Sequence, residues 1–348
     1  MSSRMRISLV TLFVALLATV SNAQEGGRGP VSYAVPNPTY VTVPLEITVN
    51  RPAAEVWKAV GKYCDIGEWL QAPCTIQSGD GGVGTVRSVG GEVLVGKTEL
   101  SYTYAQRVRT DRPYNLYHGT IEARPATPTT SKLLYTLVYD NSMLADDGAR
   151  QKDKEQRSAM FTRALQNMKT LAEGGTLPPA PARGGGPGAA PVPYAIPNPT
   201  YAIIPLEITV NRPAAEVWKR VGKFCDIGEW LQAPCTIVSG NGGVGSRRTV
   251  GGAVNVAETE LSLIYAQRVR MDQPYNFWHG TIEARPLTAT TSKLLYTLLY
   301  DNSMLPDDAA REKDKEQRTA MFTRALQNMK TLAEGGTLPP APARGDGR

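Results

Sequence analysis

The chain reads PLEITVNRPAAEVW at residues 44–57, and it reads the same fourteen letters again at residues 205–218. Leu45, Ile47 and Val49 alternate with polar residues, a period that predicts a half-buried strand. The proline that follows suits the first position of a helix, and the residues after it favour helix. The stretch therefore predicts a strand that leads directly into a short helix.

The repeat extends far beyond this stretch, and the offset that relates Pro44 to Pro205 stays constant throughout it. Residues 33–183 align with residues 194–344 without a gap, and of the 151 pairs 28 differ and 123 are identical. Each copy has about 140 structured residues, which is enough to bury a core of its own. A period of this length indicates two whole domains rather than a short-repeat solenoid. We call residues 33–174 repeat one and residues 194–335 repeat two.

Segments rich in proline, glycine and alanine follow both repeats, at residues 175–193 and 336–348. They show no apolar periodicity, and their composition is typical of flexible chain. We therefore expect a flexible linker and a disordered tail. The two repeats are then expected to behave as independent bodies at variable separation.

The overall composition is that of a globular protein. The 348 residues are 41% hydrophobic and 20% charged, which excludes a wholly disordered chain and a coiled coil. The formal net charge is +6, but no run of Lys and Arg concentrates it. Nucleic acid is therefore not an expected partner.

Residues 1–23 have the pattern of an export signal. Two arginines precede an apolar run at residues 7–20, and small residues precede a cleavage point after Ala23. The alternative is an uncleaved anchor, but the run is shorter than the ~20 residues that span a bilayer. We expect a mature chain that starts at Gln24, is periplasmic or secreted, and has no stable membrane insertion.

The remaining pattern of repeat one predicts several strands and one long helix. Residues 65–69 predict a second short helical turn, and the apolar spacing over 147–173 predicts the long helix. Runs rich in β-branched and aromatic residues predict strands at 74–76, 85–89, 93–104, 114–123 and 132–139. The predicted fold class is α+β, with a curved antiparallel sheet wrapped round the long C-terminal helix.

These elements resemble the SRPBCC superfamily, and within it the polyketide cyclase/dehydrase and lipid transport family. NRPAAEVW at 50–57 resembles the family's opening strand and helix, and GTVR at 84–87 is similar to its Gly-x-x-Arg strand. TEL at 98–100 resembles its Glu-containing strand, and SKLLY at 131–135 its late strand. The resemblance covers nearly all of both repeats. It implies two tandem helix-grip domains, each with a cavity for apolar or amphipathic small molecules.

The four cysteines form two evenly spaced pairs, Cys64 with Cys74 and Cys225 with Cys235. In an exported protein such pairs form disulfides, and free thiols are the alternative. A zinc site is disfavoured because two thiolates without a nearby His do not complete a tetrahedral set. Exported relatives carry a similar Cys–Trp–Cys arrangement, often followed by His-Pro. This chain has Leu70 and Gln71 there, so no role of that His carries over.

Each repeat contains one histidine, His118 and His279. On a strand that alternates, His118 points away from the more apolar face that contains Tyr117 and Ile121. A surface position is therefore expected, and catalysis by histidine is the less favoured alternative. Neither repeat shows a Ser-His-Asp order or a metal-ligand cluster, so we expect no metal and no cofactor.

Aromatic and leucine side chains on the first helix and the strands are the candidate lining of the cavity, with ordinary core packing as the alternative. The candidates in repeat one are Trp57, Tyr102, Tyr117, Leu133, Tyr135, Leu137 and Tyr139. The candidates in repeat two are Trp218, Trp278, Tyr296 and Tyr300. The four residues from Leu133 to Tyr139 are expected to share one strand face.

Charged candidates are Arg87 with Glu99, and their counterparts Arg248 with Glu260. In the family pattern they fall on adjacent strands, which implies an Arg–carboxylate pair at the cavity. A solvated surface pair is the alternative.

The leading hypothesis for function is an exported protein that binds or carries a lipid-like small molecule. A cyclase or dehydrase acting on an apolar carbonyl substrate is the alternative, and a tandem structural or partner-binding module is the third. Residues 85–117 contain 13 of the 28 differences between the repeats, so the two cavities are expected to differ in selectivity.

Overall fold

The computed structural model describes residues 37–109, 116–180, 194–267 and 277–341. The predicted signal peptide lies outside these ranges, as do residues 181–193 of the predicted linker and residues 342–348 of the predicted tail.

Repeat one forms one seven-stranded antiparallel sheet, in the order β1-β7-β6-β5-β4-β3-β2, together with three helices. Its elements are β1 (Tyr40–Val49), α1 (Ala53–Val60), α2 (Ile66–Trp69), β2 (Ile76–Ser78), β3 (Val86–Arg87), β4 (Glu92–Lys97), β5 (Ser101–Gln106), β6 (Tyr117–Thr127), β7 (Thr130–Asp140) and α3 (Asp147–Ala172).

Repeat two forms an equivalent sheet, in the order β8-β14-β13-β12-β11-β10-β9. A single turn of 3₁₀ helix at Val250–Gly252 lies between β10 and β11. Its other elements are β8 (Tyr201–Val210), α4 (Ala214–Val221), α5 (Ile227–Trp230), β9 (Ile237–Ser239), β10 (Arg247–Arg248), β11 (Ala253–Glu258), β12 (Ser262–Gln267), β13 (Trp278–Pro286), β14 (Ser292–Asp301) and α6 (Asp308–Ala333).

The long helix α3 is bounded by residues that favour a helix start and a helix end. The Asp146 carboxylate accepts a hydrogen bond from the Ala149 amide at 2.7 Å, which caps the first turn. Gly174 takes a left-handed conformation with φ of 85° just after the helix, which a residue with a Cβ atom adopts only with strain.

Each repeat has its own apolar core between its sheet and its long helix. In repeat one, Phe161, Leu165 and Met168 of α3 pack with the inward side chains of the sheet. The equivalent cluster in repeat two contains Phe322 and Met329 of α6. The predicted α+β class and the tandem helix-grip arrangement are confirmed.

One strand prediction is wrong. Residues 93–104 were expected to form one strand, but they form a hairpin of β4 and β5 with a turn at residues 98–100. The Thr98 amide donates to the Ser101 carbonyl at 2.9 Å, and the two hydroxyls lie 2.6 Å apart. Local polar contacts therefore override the β propensity of the run.

The prediction that the repeats are independent bodies is also wrong, because their sheets pack against each other. One apolar cluster joins Val138 of repeat one to Val254 and Ile264 of repeat two. A second joins Val93 of repeat one to Leu299 of repeat two, among other residues. We call this contact the sheet–sheet interface. It covers the sheet faces opposite the two helix-side cores.

His118 and His279 lie at the centre of the sheet–sheet interface. His118 points away from the core of its repeat, as predicted, but it is 4% exposed rather than a surface residue. The Nε2 atoms of the two histidines lie 2.8 Å apart. Burial lowers the pKa of His118 to about 3 and lowers the pKa of His279 as well. Both rings are therefore neutral at pH 7.

The described part of the linker is held against repeat one. The Gln71 amide donates to the Pro178 carbonyl at 2.7 Å, and Gln232 donates to Pro339 at 2.6 Å in repeat two. Gln71 has a φ of 53°, a left-handed conformation that is uncommon for a residue with a side chain. The glutamine in place of the family's His-Pro thus has a structural contact in this chain.

Both predicted disulfides are present, Cys64–Cys74 and Cys225–Cys235, and each joins the turn before α2 or α5 to the segment between that helix and the next strand. Replacing Cys64 and Cys74 with serine should lower the free energy of unfolding by about 2–3 kcal/mol, because the bridge limits the freedom of the unfolded chain. A urea titration of this variant beside the wild type measures the loss. An unchanged unfolding midpoint would contradict the expectation.

Candidate ligand-binding cores

The predicted face of β7 lines the sheet–helix core of repeat one. Leu133, Tyr135, Leu137 and Tyr139 are all fully buried in the same apolar cluster. The register of β7 with β6 places Tyr135 opposite Ile121 and Tyr139 opposite Tyr117. The equivalent face of repeat two contains Tyr296 and Tyr300. Strand alternation thus brings the predicted residues together.

A pair of tyrosine hydroxyls lies inside each core. The Tyr104 and Tyr135 hydroxyls form a short hydrogen bond, and the Tyr135 ring stacks on Phe161 with centroids 4.3 Å apart. In repeat two, Tyr265 and Tyr296 repeat the hydroxyl contact. Burial is the main cause that raises the pKa of each of these four tyrosines. They are hydrogen-bonding groups at neutral pH rather than bases.

The remaining aromatic candidates either belong to the two cores or pack against them. Trp57 and Trp218 are partly buried, and the Trp57 ring lies 5.7 Å from the buried Tyr102 ring. The Arg157 guanidinium of α3 lies over Tyr117 and donates to its hydroxyl at 3.2 Å. Trp278 takes the place of Tyr117 in repeat two. An arginine of the long helix therefore lies over the aromatic ring at this position in both repeats.

Arg87 is wholly buried, and its carboxylate partner is Glu92. The Glu92 Oε2 atom accepts from Arg87 Nε at 2.8 Å and from Nη2 at 2.5 Å. The third nitrogen, Nη1, donates to the Tyr63 carbonyl at 2.5 Å and lies 3.4 Å from the Tyr102 hydroxyl. Burial favours the neutral form of Arg87, but Glu92 and the nearby tyrosines outweigh it, and the net pKa is raised.

The predicted pairing of Arg87 with Glu99 is therefore wrong. Glu99 lies in the exposed turn between β4 and β5, and Glu260 lies in the equivalent turn of repeat two. The two glutamates line an open cleft of about 160 Å³ between the repeats, together with Arg124 and Arg285. Glu122 and Glu283 pair with those arginines at 2.8 and 2.9 Å.

Arg248 is also buried, but its environment differs from that of Arg87. Positions 92 and 102 correspond to Ala253 and Leu263, so the carboxylate and the tyrosine hydroxyl that contact Arg87 are both lost. Arg248 Nη1 donates to the Phe224 carbonyl. Its Nε and Nη2 atoms have no hydrogen-bond partner among the described residues. Burial lowers the pKa of Arg248 to about 10, so it stays charged at neutral pH.

Sequence reasoning missed Glu92 and Tyr63. A signal was present, because both positions differ between otherwise similar repeats and Glu92 follows Arg87 across a Gly-Gly turn.

Across the described ranges, no group of three or more His, Cys, Asp or Glu side chains could hold a metal ion. No helix among the described elements has the length and apolarity to cross a membrane.

Residues 40–173 match the family described as polyketide cyclase / dehydrase and lipid transport. Repeat two is identical to repeat one at 123 of the 151 aligned pairs. The chain is thus a tandem duplication of a repeat that matches this family. No curated protein matches it in a sequence comparison.

Several solved structures are similar to the chain. The di-domain ARO/CYC BexL from the BE-7585A biosynthetic pathway is 14% identical over 85% of this chain and 100% of its own, with a TM-score of 0.32. The di-domain ARO/CYC StfQ from the steffimycin pathway is 13% identical over 84% and 98%, with a TM-score of 0.31. Truncated norcoclaurine synthase from Thalictrum flavum is 15% identical over 39% and 94%, with a TM-score of 0.31.

Proposed function

We propose that the protein is an exported carrier in which each sheet–helix core binds an apolar or amphipathic small molecule. The observation that carries the proposal is the apolar face of β7 and of β14, which is buried against the long helix and carries tyrosine hydroxyls. Such a lining binds through burial of apolar area and orients a ligand with few polar groups. The family description, which includes lipid transport, supports the same class.

Two observations favour a carrier over a cyclase or dehydrase. The chain's two histidines pair at the sheet–sheet interface, on the opposite face of the sheet from the cores. The core tyrosines have raised pKa values, mainly because they are buried, so they donate hydrogen bonds but do not accept protons at neutral pH. General acid–base catalysis needs a group that titrates near the working pH.

Export is supported by the signal-like sequence at residues 1–23 and by the two disulfides. Disulfides persist in oxidising compartments, which include the periplasm and the extracellular space. We therefore infer that the carrier works outside the cytoplasm.

The test is a fluorescence titration of the full chain with 1-aminoanthracene, a neutral apolar probe, and we expect two sites per chain. Ala164→Phe adds a large side chain on the core side of α3, so the stoichiometry should fall to one. Met160→Phe, on the exposed side of the same helix, is the matched control and should keep two sites. No saturable binding by the folded wild type would refute the carrier, and turnover of a test ketone would favour the enzyme.

A further inference from the structure

Repeat two contains a buried cation that lacks a counter-ion. Arg248 is 1% exposed, and its Nε and Nη2 atoms are unpaired within the described part of the chain. A buried charge without a partner is strongly unfavourable, so proteins rarely retain one without a reason. The Nε and Nη2 atoms form the edge of the guanidinium that can donate two parallel hydrogen bonds to one carboxylate.

Repeat one shows what occupies the equivalent place. Arg87 uses the same Nε and Nη2 atoms to hold the Glu92 carboxylate. The other oxygen of Glu92 accepts from the Gln106 amide at 3.2 Å. Glu92 and Gln106 are direct cross-strand neighbours on β4 and β5. Three nitrogen atoms thus surround one carboxylate in repeat one.

Repeat two keeps the donors but loses the carboxylate. Gln267 lies directly opposite Ala253, as Gln106 lies opposite Glu92. Replacing glutamate with alanine removes the Cγ atom and the whole carboxylate from this position. The nitrogen donors that surround a carboxylate in repeat one are therefore present in repeat two, but the carboxylate side chain is absent.

The surroundings of Arg248 are apolar. The Phe224 ring centroid lies 4.3 Å from the guanidinium carbon, and the Tyr265 centroid lies 4.5 Å from it. Leu263 stands where repeat one has Tyr102, so a polar group is absent there as well. An acid with an apolar chain suits such a setting better than a polyanion, because its remaining atoms need no hydrogen bonds.

We propose that repeat two binds an apolar monocarboxylic acid whose carboxylate takes, beside Arg248 and Gln267, the place that Glu92 holds in repeat one. The inference rests on the proposed carrier function and names the ligand class of one of its two sites. Repeat one carries its own carboxylate at this place, so it selects neutral ligands. A single chain would then carry two ligands of different charge.

The test compares decanoate with decanol, which share an alkyl chain but differ in charge, by calorimetric titration of the full chain at pH 8. We expect one site per chain that binds decanoate at least tenfold more tightly than decanol. Ala253→Glu restores the internal carboxylate, and Arg248→Met removes the cation, so each should abolish the preference. Arg285→Met, an exposed arginine of repeat two with a carboxylate partner, is the control and should keep it.

A second readout keeps the test decisive if Arg248→Met does not fold. Bound decanoate labelled with ¹³C at its carboxyl should titrate at a lower pH than free decanoate, and Ala253→Glu should remove that resonance. Equal binding of decanoate and decanol, unaffected by Ala253→Glu, would overturn this inference and leave the carrier function intact. Binding of neither compound by the folded wild type would contradict both.

Discussion

Glu92→Ala should lower the free energy of unfolding by about 3–5 kcal/mol, because it leaves the Arg87 charge buried without its carboxylate. The side chains of this ion pair are 0% and 4% exposed, so water cannot replace the lost oxygens. The Arg87 contact with the Tyr63 carbonyl survives the substitution, but a single carbonyl does not neutralise a guanidinium. Urea unfolding followed by tryptophan fluorescence gives the difference.

Glu46→Ala is the matched control for this prediction. Glu46 pairs with Lys132 at 2.7 Å, but the two side chains are 56% and 43% exposed. An exposed pair contributes about 0–1 kcal/mol because water and salt screen it. If both variants lose the same small amount, the buried pair of repeat one does not stabilise the fold as proposed.

The periodic parts of the fold could be predicted from the sequence. The alternation of apolar residues in β1 and β7 shows which face of each strand is buried, and the helical spacing in α3 does the same for the helix. Both patterns can be read from residues that are close together in the sequence. The same reasoning placed Leu133, Tyr135, Leu137 and Tyr139 on one face. It failed at the turn of residues 98–100, where a hydroxyl pair closes a hairpin inside a run of high β propensity.

The sheet–sheet interface was missed although the sequence carries a signal for it. Strand β4 reads EVLVGK, and its first five residues are all buried. A strand that is apolar on both faces is covered on both faces. The composition of the linker suggested separation, but a flexible connection does not prevent two apolar sheet faces from packing together.

The carboxylate partner of Arg87 could not be identified from sequence spacing alone, because it is set by a turn of the chain. Glu92 reaches Arg87 because Gly90 and Gly91 turn the chain with φ of 63° and 60°, which brings β4 back beside β3. The family pattern pointed instead to Glu99. Comparison of the two repeats would have helped, since the loss of Glu92 coincides with the loss of Tyr63 and Tyr102.

Acidification from pH 6.5 to 5 should destabilise the protein through its only two histidines. In the unfolded chain a histidine binds a proton near its ordinary pKa of about 6.5. In the folded chain burial lowers the pKa of His118 to about 3, so His118 stays neutral in this range, and burial lowers the pKa of His279 as well. The unfolded state binds more protons, so stability falls as the pH falls below 6.5.

The expected loss for His118 is about 2 kcal/mol at pH 5, because each pH unit below the unfolded pKa adds about 1.4 kcal/mol. His279 adds a loss of the same sign. Protonating both rings would also set two N–H groups against each other across the 2.8 Å contact between the Nε2 atoms. Their Nδ1 atoms have no partner among the described residues that could offset this cost.

Carboxylates also titrate in acid, and a double variant separates their effect. Burial raises the pKa of Asp65, Asp226 and Glu258, which opposes the loss because the folded chain then takes up protons first. His118→Gln combined with His279→Gln keeps these carboxylates and replaces both rings with uncharged amides that can hydrogen-bond to each other. Urea unfolding measures the free energy of unfolding at pH 7.5 and at pH 5. Between these two pH values the wild type should lose at least about 2 kcal/mol more of it than this variant does. Equal losses would show that the histidine pair does not resist protonation, and that the sheet–sheet interface admits water at its centre.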